Sequence, residues 1–215
     1  MLQTRLRITE IFYSLQGESK FVGLPTVFVR LTGCPLRCGY CDTEYAFQGG
    51  EYQQFDDIIN EIAQYNTLYV CVTGGEPLAQ KNCLAFLDRL VDAGYYVSLE
   101  TSGAIDVCDV NNKVVKVMDI KTPGSGEKAK NRWENISCLR TADQVKFVII
   151  DREDFDWAKA VIEEYQLSQR TEVLMSPAFN ELPAKRLAEW ILEDQLQVRF
   201  QLQLHKILWG EEQGR

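Results

Sequence analysis

Seven short apolar runs, spaced along the whole chain, constrain this sequence more than any other feature. They cover residues 26–31, 68–73, 95–101, 114–120, 144–150, 171–175 and 198–204, and each is rich in β-branched and aromatic residues. Most carry apolar residues at consecutive rather than alternate positions. Strands of that kind are covered on both faces, as in a parallel sheet. Between them lie helical patterns at 55–65, 81–93, 155–165 and 183–192. Ile58, Ile59 and Ile62 share one face of the first, with Asp56 and Asp57 at its positive end. Leu84, Leu87, Leu90 and Val91 do the same in the second, which Gly94 is placed to cap. Pro183 opens the fourth. Strand and helix alternate, which predicts an α/β architecture. Between Thr101 and Val114 there is little room for a crossover helix, since such a connection takes about 10–12 residues or more. The expectation is an incomplete, modified βα barrel with mostly parallel strands, formed by residues 1–215 as one domain.

A chain of 215 residues buries a core without metal or disulfide staples. Its net charge of −8 argues against a broad nucleic-acid or anionic-membrane footprint. The N-terminus, MLQTRLRITE, has no apolar run long enough for a leader core. No stretch approaches the ~20 apolar residues of a membrane span. A cytoplasmic location is expected, and thiols are kept reduced there, so seven cysteines are not read as a disulfide framework. Cys71, Cys83, Cys108 and Cys138 are expected to be small buried apolar residues.

The other three stand together in Gly33-Cys34-Pro35-Leu36-Arg37-Cys38-Gly39-Tyr40-Cys41-Asp42-Thr43, directly after the first strong strand. In a βα barrel the loops at the C-terminal ends of the strands form the active face. Pro and two glycines let this loop curl around something compact. Iron–sulfur clusters are held by thiolates, usually four. Three close cysteines without a fourth leave one iron open, as a catalytic metal site requires. The competing reading is a zinc-binding interaction module without chemistry. It lacks a nearby fourth ligand, because the single histidine, His205, is far away in sequence.

Three further segments fall at or near strand boundaries. Thr73-Gly74-Gly75-Glu76-Pro77 follows the second strand, and its glycines permit close approach of the backbone to a ligand, with Glu76 available to an ammonium group. Read alone, it is equally an ordinary turn before a helix. Glu100-Thr101-Ser102-Gly103 follows the third strand, and Asp143-Gln144-Val145-Lys146-Phe147 opens a later one.

The C-x3-C-x2-C loop with these segments resembles the radical S-adenosylmethionine (SAM) superfamily. That resemblance implies a (β/α)6-type partial barrel. It implies a [4Fe–4S] cluster on Cys34, Cys38 and Cys41, with SAM chelated at the free iron. One electron then cleaves SAM to methionine and a 5′-deoxyadenosyl radical that abstracts hydrogen from substrate. Tyr40, Asp42, Gly74, Gly75, Glu76, Gly103, Gln144 and Lys146 are the positions it assigns to the cofactor.

Upstream, Phe12-Tyr13-Ser14-Leu15-Gln16-Gly17-Glu18 precedes Gly23-Leu24-Pro25-Thr26 and then Arg30 within the first strand. With the loop ending Cys41-Asp42-Thr43, this is similar to the 7-carboxy-7-deazaguanine synthase family of queuosine and deazapurine biosynthesis. The likeness runs from Glu10 to about Lys206 and is strongest before residue 104. It implies conversion of 6-carboxy-5,6,7,8-tetrahydropterin to 7-carboxy-7-deazaguanine with loss of ammonia. Residues 10–25 become a substrate-binding segment, with Leu15, Gln16, Gly17, Glu18, Arg30 and Thr101 on the pterin and Thr43 on Mg2+. A homodimer and a flavodoxin-like electron donor are further implications, with Leu192, Phe200 and Trp209 offered as dimer surface. Ser19 stands where the family often has Gly. His205 and Lys206 are placed to close the pocket without an assigned role. A glycyl-radical activase would share the cysteines but has no need of residues 15–18 or Thr43.

Overall fold

Along each strand of a nine-stranded sheet, successive side chains divide between a helix-covered core and an open cavity. The structure is a computed structural model and describes residues 4–215. The first three residues of the N-terminal stretch and of the expected 1–215 domain lie outside that description. The strands are β1 (Arg5–Leu15), β2 (Pro25–Leu31), β3 (Glu51–Gln54), β4 (Tyr69–Gly74), β5 (Tyr96–Thr101), β6 (Val115–Asp119), β7 (Gln144–Ile149), β8 (Glu172–Pro177) and β9 (Arg199–Phe200). Their order is β3-β1-β2-β4-β5-β6-β7-β8-β9. β1 is antiparallel to both its neighbours, and every pairing from β2 to β9 is parallel. The sheet is open, so the barrel is incomplete as expected.

The helices are α1 (Phe55–Ile62), α2 (Cys83–Asp92), α3 (Arg152–Glu164), α4 (Leu167–Arg170), α5 (Ala184–Glu193) and α6 (Leu204–Trp209). Val27, Val29 and Leu31 of β2, Val70 and Val72 of β4 and Leu99 of β5 form one buried cluster with Phe55, Ile58, Phe86 and Leu87 of α1 and α2. Val145, Phe147 and Ile149 of β7 form a second with Phe155, Ala158 and Leu187 of α3 and α5. The intervening side chains Phe28, Arg30, Thr73, Glu100, Asp119, Lys146 and Val148 line the cavity. Phe86, Phe147 and Phe155 are fully buried, and truncating any one to Ala costs about 3–5 kcal/mol. No helix crosses from β5 to β6, and residues 102–114 run instead through turns. Gly94 ends α2 at φ 89°, with Tyr95 N bonded to Leu90 O and Gly94 N to Val91 O, the left-handed cap expected there.

Several expectations need correcting. Residues 10–15 of the expected binding segment, for which no strand is expected, belong to β1, because the alternation of Leu6 and Ile8 lets β1 bury one face against α1. The run at 198–204 yields only the two residues of β9 before α6 begins at Leu204. Cys108 and Cys138 are not buried singly. They form a disulfide between the loop after β5 and the short 3-10 helix Trp133–Cys138, while Cys71 and Cys83 are free and buried as expected. Phe200 packs against the second core rather than facing outward, whereas Leu192 is exposed.

Candidate active site

Cys34, Cys38 and Cys41 are free, half-buried and open onto one cavity of about 500 Å³ at the C-terminal ends of the parallel strands. That volume is of the size that buries a small ligand. Burial pushes the Cys38 thiol up to about 11, and Lys121 offsets this only in part. Bonding to iron would remove that penalty, because a coordinated thiol gives up its proton outright. Among the described residues no three His, Cys, Asp or Glu side chains are grouped to hold one metal ion. A tetrahedral zinc needs such convergence. A cluster does not, since each thiolate takes a different iron. The donor set therefore fits [4Fe–4S].

The two glycines after β4 serve the loop that carries the cysteines. A Cβ on Gly74 would lie 2.2 Å from Leu31 O, and one on Gly75 would lie 2.3 Å from Gly33 O and 2.7 Å from Cys34 Cβ. Gly75 N donates to Leu31 O and Glu76 N to Gly33 O. The two loops thus lie backbone to backbone, which only glycine permits.

Glu76 is fully buried and does not line the cavity. Its carboxylate accepts from Thr101 Oγ1, Ser102 N, Ser102 Oγ and Leu78 N at 2.6–3.0 Å. Here its carboxylate ties the loop after β4 to the loop after β5. Thr101 borders the cavity, but its hydroxyl proton is given to Glu76. Gly103 and Gln144 also stay off the cavity. Gly103, at φ 69°, faces Met118 and is bonded through its carbonyl to Asn135 Nδ2. Gln144 opens β7, at the end opposite the cavity, where it accepts from Lys20 N and donates to Glu172.

Lys146 does reach the cavity. Its Nζ bonds Glu18 Oε2 at 2.6 Å and lies 3.7 Å from Asp119 Oδ2, and Lys121 Nζ is 2.9 Å from the same Asp119 oxygen. Burial disfavours charge on Lys146, but Glu18, Asp119 and Glu100 outweigh it and hold its pKa well above the ordinary lysine range. Burial likewise opposes charge on Glu18, yet Lys146 brings that carboxyl down to about 2. Asp119 Oδ1 and Tyr40 Oη are buried without hydrogen-bond partners. Both residues line the cavity, so a polar ligand seated beside the cysteines would lie against their side chains.

On the opposite wall, Glu10 Oε1 accepts from Arg30 Nε at 2.6 Å and from Tyr45 Oη at 2.7 Å. Glu10 and Arg30 face each other across the β1–β2 register. Leu15, Gln16, Gly17 and Glu18 line the cavity floor. Gln16 donates to Glu100 and accepts from Glu18 N, which fixes that turn. Ser19 holds φ 64°, the left-handed conformation that explains the frequent Gly at this position. Gln201 secures it by bonding Ser19 N and Ser19 O. Thr43 Oγ1 donates to Asp42 Oδ1 at 3.1 Å, placing two hard oxygen ligands side by side at the rim. His205 and Lys206 line the same cavity.

Glu10, Tyr45, Asp119 and Lys121 escape the sequence reading. For the last two a signal exists, because Asp119-Ile120-Lys121 ends β6 as the cysteine loop ends β2. Glu10 and Tyr45 carry no such signal, since their meeting depends on antiparallel register and on the turn after the cysteines.

Residues 28–118 match the family model described as Radical SAM superfamily. The chain is 43% identical over 96% of its length to the 7-carboxy-7-deazaguanine synthase of Koribacter versatilis, covering 98% of that protein. It is 41% identical over 95% of its length to the synthase of Chlorobaculum tepidum, covering 94% of it. A crystal structure of QueE from Escherichia coli shares the fold at a TM-score of 0.77 and 22% identity, over 94% of this chain and 95% of that one. With the cysteine loop, the open parallel sheet and these relatives in agreement, the chain belongs to the radical SAM superfamily and, within it, to the 7-carboxy-7-deazaguanine synthases.

Proposed function

We propose that the cavity holds SAM along the Tyr40, Asp119, Lys121 and Lys146 wall and the pterin substrate between Arg30 and the turn at residues 15–18. The reaction is the family's: ring contraction of 6-carboxy-5,6,7,8-tetrahydropterin to 7-carboxy-7-deazaguanine with loss of ammonia, using a [4Fe–4S] cluster and SAM. Cys34, Cys38 and Cys41 would hold the cluster, which when bound would supply the one-electron reduction that SAM-dependent radical chemistry requires. The remaining work belongs to the chain. Glu10 occupies the Nε edge of Arg30 and leaves its terminal nitrogens for the substrate carboxylate. Glu18, ionised beside Lys146, accepts donors of the pterin ring, and His205 packs against Gly17 to cover that edge. Thr43 and Asp42 are the protein oxygens offered to Mg2+, which prefers hard ligands and keeps waters and substrate oxygens.

The observation that carries the reading is the juxtaposition of three free thiols with Arg30 and the Glu18–Lys146–Asp119–Lys121 chain around one cavity. Residues 1–215 act as one catalytic domain in this reading. A homodimer is part of it, with exposed Leu192, Ile207 and Leu208 as candidate contacts. So is a flavodoxin-like donor in the cytoplasm, where such donors are kept reduced. No helix among the described residues is long and apolar enough to cross a membrane.

The test is anaerobic turnover of reconstituted protein with SAM, dithionite and 6-carboxytetrahydropterin, with and without Mg2+, following product by mass. Product that requires cluster, SAM and pterin and rises with Mg2+ is expected. SAM cleavage without 7-carboxy-7-deazaguanine would remove the pterin assignment, and loss of Mg2+ dependence would remove Thr43 from the metal.

A further inference from the structure

Three cations without an ion-pair partner among the described residues, Arg37, Lys128 and Lys130, lie on the outer side of the loop that carries the cysteines. Leu36, Cys38 and Gly39 line the cavity, but Arg37 between them does not and is exposed to solvent. Its guanidinium braces the loop from outside, bonding Cys34 O and Leu36 O at 2.8 and 2.6 Å and stacking on Phe47 at 4.1 Å. The turn after β6 packs against the same side. Gly39 N donates to Ser125 O at 3.1 Å, and Arg37 N to Glu127 Oε1 at 2.6 Å. Lys128 and Lys130 follow at once in a 3-10 turn closed by Lys130 N on Glu127 O.

The surface between these cations is low. Pro35, Gly39, Gly124, Gly126 and Ala129 are its exposed residues. A Cβ added at Gly126 would meet nothing within 4 Å, and one at Gly39 only Gly124 O at 3.9 Å. Cys38 itself is half-buried between exposed Arg37 and exposed Gly39. Electron tunnelling falls steeply with distance, so a half-buried thiolate ligand flanked by exposed residues is a short route from the surface. In a chain of net charge −8, three exposed cations beside this loop suit an acidic partner.

We propose that this patch docks an acidic flavoprotein electron carrier, and that Lys128 and Lys130 steer it onto the outer face of the cysteine loop. The inference rests on the radical SAM reading of the site and deepens it by placing the electron's entry. The step moves one electron from the carrier's reduced flavin to the cluster, with no bond formed or broken and no proton transferred. Charges at the rim of such a transient complex act mainly on encounter and on its salt dependence. Arg37 is left unaltered in the test because it also shapes the loop.

The experiment compares reconstituted wild type with the double variant Lys128→Glu, Lys130→Glu. Binding of a purified flavodoxin is measured by calorimetry at low and high salt, beside turnover driven by reduced flavodoxin and by dithionite. The double variant is expected to raise the dissociation constant about tenfold or more and to slow flavodoxin-driven turnover alike. Dithionite-driven turnover stays at the wild-type level. Salt weakens the wild-type complex and narrows the difference. Unchanged flavodoxin affinity in the variant overturns the proposal, as does binding of the wild type to the carrier that salt does not weaken. Preferential capture of a homopolymeric RNA through these lysines would overturn it as well. Absence of dithionite-driven turnover in the wild type would instead count against the radical SAM reading itself, so the two failures are distinguishable.

Discussion

Two lysine–carboxylate constellations stand on the same two strands, β6 and β7, at opposite ends. At the N-terminal end Lys116 Nζ lies 3.1 Å from Asp143 Oδ2, with side chains 2% and 0% exposed. Asp143 also accepts from Lys116 N, Arg140 N and the Arg140 guanidinium. Every oxygen there is used. At the C-terminal end Lys146 and Lys121 share Asp119, whose second oxygen has no partner, and the group opens on a cavity. The first pair is fully buried and the second is 9–15% exposed, yet both are largely withdrawn from solvent. What separates them is hydrogen-bonding capacity left unused on a residue that borders the cavity. A saturated pair fixes structure, while an unsaturated one awaits a ligand.

The largest effect that would sharpen this contrast is at the closed end. Asp143→Ala leaves Lys116 buried without its counter-charge and should cost about 3–5 kcal/mol, read as a lowered denaturation midpoint. Whatever protein folds should bind SAM as wild type does; SAM affinity lost at full stability would break the division. Next comes the wall around Arg30. Glu10→Ala frees the Nε edge that Glu10 holds and should raise KM for the pterin about tenfold with little change in kcat. Tyr45→Phe, which removes one hydrogen bond to Glu10, should do less. Equal loss in kcat would show that the trio acts on chemistry and not on positioning.

Acid should reach the two ends at different pH. Burial holds His205 below its ordinary 6.5, so the unfolded chain binds protons more readily and stability declines as pH falls through 6.5. Glu18 is held at about 2 against 4.5, so its contribution is complete above 4.5 and fades only beneath that. Asp143 is held below 3.8 despite burial, by Lys116 and Arg140, and is likewise unaffected above 3.8. Hydrogen-exchange protection, corrected for intrinsic rates, should thus weaken in α6 between pH 6.5 and 5 while β7 keeps its own. Parallel loss in both would contradict the assignment.

Much of this architecture is legible in the sequence. The apolar runs locate the parallel strands β2 and β4 to β8 within a residue or two, because strands buried beneath helices carry an unbroken hydrophobic signal, whereas the run at 198–204 overshoots β9. Gly94 marks the end of α2 because a left-handed residue is required there. The antiparallel strands β1 and β3 are less visible, since β3 is an edge strand of only four residues, mostly exposed. Cys34, Cys38 and Cys41 reveal themselves by spacing. Glu76 is ambiguous, because a carboxylate after two glycines reads the same whether it meets a ligand or ties a neighbouring loop. Gln144 misleads for another reason: a motif's position relative to a strand decides its end of the barrel, and residues that open a strand lie away from the cavity. The Cys108–Cys138 pair, 30 residues apart, depends on how two loops meet and leaves no local sign.

The measurement that bears most directly on the contrast is anaerobic formation of 7-carboxy-7-deazaguanine by Lys146→Met beside wild type, each reconstituted to the same iron content. Loss of the lysine leaves Glu18 and Asp119 without their shared cation, and the rate should fall at least about a hundredfold, roughly 2.7 kcal/mol, with the cluster intact. Lys146→Met turning over at the wild-type rate would contradict the account, for the open constellation would then be as purely structural as the closed one.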